Sequence, residues 1–330
     1  MGANHFYIHA VEASPNPERA NQAAHRLETL EPGAGHLVHM PAHIYIRVGR
    51  YADAIAANEH AVHADEAFIE GQKPQGLYPL AYYPHNHHFL AFAATLAGKS
   101  ALAIAAAKRT AATTPAAVAK QVPFLEPYLH YTYLTLVTFG RWGELLAMPL
   151  PPVDLAYSRG MVQYARGVAL AATRRFAEAQ AALDTLKRIA ISGTRGYAAA
   201  GWTTPGTNLQ IATHALLGEI AARRGALEEG IAHFREAMKI EDDQLYTEPL
   251  DWYYPIRHSL AAVLLRGGRA VEAERLYRED LKRFPENGWS LFGLAQALRA
   301  QGKSAEAADV DARFARAWAG TDVTLTASRF

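Results

Sequence analysis

HSLAAVLLRGGRAVEAERLYREDLKRFP (258–285) and LFGLAQALRAQGKSAEAADVDARF (291–314) decide the fold. Gly268 and Gly302 are 34 residues apart, and so are Ala273 and Ala307. Each glycine divides two stretches whose apolar residues recur at three- and four-residue steps, the mark of a helix with one buried face. Glycine closes a helix at little cost because it enters the left-handed region without a Cβ clash. A fixed 34-residue period therefore predicts stacked helical hairpins, none of which can bury its apolar face alone. The same pattern surrounds Gly225 in GEIAARRGALEEGIAHFREA (218–237), Gly98 in FAATLAGKSALAIAAA (92–107) and Gly49 in IYIRVGRYADAIAANEHA (44–61). No strand pattern competes with it.

The period, the small residues of the first helix, the inter-helix Gly, the Ala five residues later and the closing Pro285 resemble the tetratricopeptide repeat (TPR). That resemblance implies an all-α, right-handed TPR-like α-solenoid. Turns placed at Pro15, Gly49, Gly98, Gly140, Arg174, Gly225, Gly268 and Gly302 give eight hairpins. The chain reads as one superhelical domain, 1–330. It has His-rich repeats at 1–117, weaker ones at 118–208, regular ones at 209–321 and a tail at 322–330. Inserts at 69–83, 191–208 and 242–253 are rich in Gly, Pro, Tyr or Trp, which suits ordered loops or lids. No polar capping hairpin precedes the first helix, so the expectation is the C-terminal part of a longer array or a first helix covered by a partner.

The 33 Lys+Arg are balanced by 32 Asp+Glu, a net charge of +1. Nucleic acid and acidic membrane surfaces both need a basic surplus, so neither is an expected partner. There is no apolar run of ~18 residues to span a bilayer. The absence of cysteine excludes disulfides, thiolate metal sites and a Cys nucleophile, and fits a cytoplasmic protein. There is no Gly-rich phosphate loop and no GxSxG elbow.

What composition does offer is histidine. Eleven of the 15 lie within the first 88 residues. His5, His9 and Glu12 are spaced i, i+4, i+7, and His36, His39 and His43 are spaced i, i+3, i+7, so each trio shares one helix face. His5 and His39 are 34 apart, as are His9 and His43, which makes them equivalent sites on adjacent helices. Neighbouring helices pack roughly 10 Å apart, within convergent reach of imidazoles. The candidate metal ligands are His5, His9, Glu12, His39, His43, His85 and His88. Imidazole and carboxylate without thiolate suit divalent Zn, Fe, Cu, Mn or Ni. An open coordination position would let such a site act on water or oxygen, and seven donors are enough for a second ion. Further groove contacts are expected from His36, Arg47, Tyr83, Asn86, His130, Tyr254 and His258. His25, His60, His63, His87, His214 and His233 read instead as ordinary packed or surface residues.

In TPR arrays, positions two, five, nine and twelve of each first helix line the concave groove. That resemblance puts His5, His9 and Glu12 at five, nine and twelve, His36, His39 and His43 at two, five and nine, and His85 and His88 at two and five. HLVHMPAHI (36–44) and PHNHHF (84–89) also resemble a bacterial TPR group carrying HxxHMPxHI and PHNxHF motifs. A more distant likeness is to the tetratricopeptide repeat protein 38 group. These likenesses imply a fold and a site, but no reaction. Three functions remain open: a metal-binding protein, with a small molecule or peptide in its groove and the His/Glu cluster as a candidate active site; a non-enzymatic scaffold for a peptide or protein partner; and a metal or small-ligand sensor or carrier.

Overall fold

A computed structural model describes residues 1–192 and 205–330, so most of the 191–208 insert lies outside the described residues. Those residues form α-helices and short helical turns, with no strand among them. The helices pair as expected. α1 (Gly2–Glu12) pairs with α2 (Asn21–Leu30). α3 (Gly35–His39) and α4 (Pro41–Arg47) together pair with α5 (Tyr51–Gln72). α6 (Tyr83–Leu96) pairs with α7 (Ser100–Ala112), and after α8 (Ala116–Gln121), α9 (Glu126–Thr138) pairs with α10 (Trp142–Ala147). The remaining pairs are α11 (Ala156–Ala172) with α12 (Phe176–Ser192), α13 (Pro205–Arg224) with α14 (Leu227–Asp242), α15 (Ile256–Arg266) with α16 (Ala270–Arg283), and α17 (Gly288–Ala300) with α18 (Ser304–Ala317). Among the described residues, the eight-hairpin, all-α architecture read from the period is the observed one.

The turns explain themselves. Gly49, Gly98, Gly140, Gly225, Gly268 and Gly302 all have φ between 64° and 94°. The turn placed on Arg174 is also left-handed, at φ 61°, without the glycine that makes this conformation easy. The second hairpin departs from a single first helix. Pro41 supplies no N–H and interrupts it after His39, and His43 N bonds Met40 O at 3.2 Å.

The C-terminal half closes against the N-terminal half. Tyr51 Oη donates to Pro285 O at 2.8 Å, and Trp289 Nε1 to Thr95 O at 2.9 Å. Phe92 and Phe284 pack edge to face. The tail also crosses the array. Asp322 accepts from the backbone N–H of Ser100 and Ala101 at 2.6 and 2.8 Å, and Ser328 is buried beneath Tyr254 and Tyr277. Arg329 pairs with buried Glu219. Trp318 lies against both Gly98 and Gly288, where any Cβ would collide with its ring.

Candidate metal centre

Glu12 ends α1 almost fully buried, and its carboxylate is divided between helices. Oε1 lies 2.8 Å from His9 Nδ1 one turn back. Oε2 lies 2.7 Å from His43 Nδ1 on α4 and accepts from Tyr246 Oη at 2.7 Å. The next ring is oriented from the hairpin's second helix. Asn58 on α5 donates its amide to Ala54 O, so its Oδ1 accepts from His39 Nδ1 at 2.7 Å. His39 then carries its proton on Nδ1 and its lone pair on Nε2, which faces His43 Nε2 at 2.7 Å. Further out, His36 Nε2 and His5 Nε2 lie 3.3 Å apart.

Three donor groups converge, each with one ligand atom per residue within 4.8 Å of the others: His5/His9/His36, His39/His43/His85 and His9/Glu12/His43/Glu248. Six of the seven residues read as metal ligands thus come together, with His36 added. His88 stays apart, stacked edge-on against Tyr131 and Tyr128. The repeat frame accounts for this, because the next groove position on the same helix is Phe92 rather than histidine.

The charges are sorted by environment. Burial, then the nearby His43 and His85, holds His39 well below the ordinary histidine range. Burial and His43 do the same to His85, and burial and His5 take His36 down to about 4. Burial opposes charge on His43 too, but Glu12 and Glu248 outweigh it and raise that ring to about 9. His9, likewise desolvated, is raised to about 10 by Glu12 and Glu248. Against their own burial, both carboxylates are held low by His43 and His9. Without an ion, the centre is a charged His43 bridging Glu12 to neutral His39.

Sequence reasoning missed Glu248 and Tyr246, which arrive on the 242–253 insert. Glu248 Oε2 sits 2.8 Å from His43 Nδ1 and 3.3 Å from His9 Nδ1, yet it is buried with no hydrogen-bond geometry to either. Its only cue was an acidic residue inside an aromatic, Pro-containing insert, and nothing in the period says where that insert lands. Beside His43 is a cavity of about 20 Å³ lined by Arg47, Phe89, Phe92, Tyr246 and Phe284, among others. That is room for roughly one water. Arg47 reaches Ser14 O at 3.3 Å and stacks over Tyr246, while its Nε is buried without a partner.

The other expected groove residues meet internal partners away from the cluster. Tyr83 lies between Glu66 and Arg109, and Asn86 donates to Asp65. His130 contacts Ser158 Oγ at 3.1 Å. Tyr254 donates to Ser328 O, and His258 is buried against Asp280, Ser290 and Asn287.

No protein-family model matches this chain, and no curated protein sequence does. Among solved structures it is similar to an assembly chaperone of RpL4 (Acl4, residues 1–338), at 15% identity and a TM-score of 0.33, over 88% of this chain and 93% of that one. No helix among the described residues is long and apolar enough to cross a membrane.

Proposed function

We propose that this protein binds a divalent transition metal at the buried His39/His43/His85 group, and that this site is a catalytic centre acting on a small, water-sized or anionic group. The observation that carries the reading is the convergence of one nitrogen each from His39, His43 and His85 within 4.8 Å, with His39 and His43 out of solvent. Each of these two buried rings has its Nδ1 engaged, one by Asn58 and one by Glu12. This is the outer-shell arrangement that fixes a ligating imidazole's tautomer and leaves Nε2 for metal. Three nitrogens leave one position for water, whose acidity a metal such as zinc raises. The adjoining cavity is of that size, and unpartnered Arg47 Nε suits an anion there.

A second reading, a scaffold for a protein partner, is favoured by Phe6 and Tyr7, which stand exposed on α1. Elemental analysis of tag-free protein purified without chelator separates the two. A near-stoichiometric Zn, Fe, Cu, Mn or Ni content supports the metal reading. No metal, even after reconstitution, leaves the scaffold.

A further inference from the structure

We infer that the histidine cluster is two metal sites related by the repeat, a buried inner one at His39/His43/His85 and an outer one at His5/His9/His36. The inference rests on the inner reading above and extends it. Each triad takes two histidines from one hairpin's first helix, four residues apart, and a third from the start of the next hairpin's first helix. His5 and His9 are joined by His36, and His39 and His43 are joined by His85. The series then stops, because the histidine after His88 that a third triad needs is Phe92.

Glu12 is the hinge of this pair. Its two oxygens hold Nδ1 of His9 and Nδ1 of His43, one ring from each triad. With Nδ1 of both rings engaged, Nε2 is the atom each would offer an ion, so one carboxylate orients a ligand for each. The outer spacing fits an ion. His5 Nε2 and His36 Nε2 are 3.3 Å apart. Two nitrogens at the tetrahedral angle on a zinc with bonds of about 2.0–2.1 Å are separated by about 3.3 Å. The outer triad is half-exposed, so its ion exchanges readily and faces the surface, whereas the inner one is enclosed. All-nitrogen donors select Zn(II), Ni(II) or Cu(II) over Mg(II) and Ca(II).

The test is a Zn(II) titration of the chelator-stripped full chain, read by equilibrium dialysis with elemental analysis. The expected stoichiometry is two per chain, falling to one in His36→Ala and to one in His85→Ala, with His60→Ala unchanged. His5→Gln repeats the outer loss at a half-exposed position, and an unchanged far-UV spectrum shows that each variant folds. One equivalent in the parent, unaffected by His36→Ala and His5→Gln, overturns the outer site and leaves the inner one standing. Loss of both ions from His36→Ala also overturns it, because the six histidines would then form one centre. No binding by the parent removes both sites and the proposed function with them.

Discussion

Tyr246 donates to Glu12 Oε2 at 2.7 Å across 234 residues of sequence. The bond brings the 242–253 insert onto the first helix and places Glu248 against His43 and His9. A hydrogen bond to a buried carboxylate stabilises by about 1.5–3 kcal/mol, and removing the donor strands an acceptor. Tyr246→Phe is therefore expected to lower unfolding stability by about that much in urea denaturation. It should also weaken Zn(II) binding several-fold, because Glu12 and Glu248 lose their placement. Unchanged stability and affinity would mean that the insert is held by its apolar residues alone.

Asn58 acts on the inner site through the ring of His39 rather than as a ligand. Its Oδ1 holds the His39 Nδ1 proton, and loss of such an outer-shell partner costs 10–100-fold in metal affinity. Asn58→Ala should fall in that range by competition against a chelator of known affinity. Asn58→Asp keeps the accepting oxygen and should retain most of the binding. Equal losses in the two variants would assign Asn58 to packing rather than to ring orientation.

What the sequence disclosed follows the range of its signals. The 34-residue period is local, so it located all eight turns, including the one on Arg174. Helix spacing and the repeat shift are local too, and they brought His5, His9, His36, His39 and His43 onto one surface. The 242–253 insert breaks the period, so its landing beside Glu12 was invisible. Closure of the array is likewise set by side chains far apart in sequence, Trp289 with Thr95 and Asp322 with Ser100. The tail buries Tyr254 against Ser328, and His258 is buried against Asp280 on the second helix of its own hairpin, although both were expected at a groove surface. Asn58 was missed because it lies on a second helix, outside the groove positions.

Glu241 gives the fold a pH dependence separate from the histidines. Burial, only partly offset by Arg283 and Arg257, raises its carboxyl to about 7, while its Oε2 accepts from Ile256 N at the start of α15. A carboxyl whose folded pKa is raised binds a proton more tightly folded than unfolded. Stability from this group is therefore full below about pH 4.5 and declines as pH rises to about 7. Glu241→Gln keeps the accepting oxygen and removes the titration. It should be more stable than the parent at pH 8 by on the order of 2 kcal/mol and nearly equal at pH 4.5. Denaturation midpoints at the two pH values check this, and a parallel pH profile in the variant would exclude it.

Among the described residues, Arg174 occupies the one left-handed hairpin turn that lacks glycine, at φ 61°. A non-glycine residue there costs roughly 1–2 kcal/mol. Glycine removes that strain but gives the unfolded chain more freedom, which takes back part of the gain. The side chain is exposed, so little contact is lost. Arg174→Gly is expected to stabilise by about 0.5–1 kcal/mol. Gly268, at φ 75° with nothing within 4 Å of a built Cβ, is the reverse experiment. Gly268→Ala meets no steric neighbour, so its expected loss of about 1 kcal/mol is conformational alone. Opposite signs at the two positions, from denaturation curves of equal slope, would assign both effects to backbone strain. A destabilised Arg174→Gly would mean that the arginine makes a stabilising contact which outweighs its strained turn.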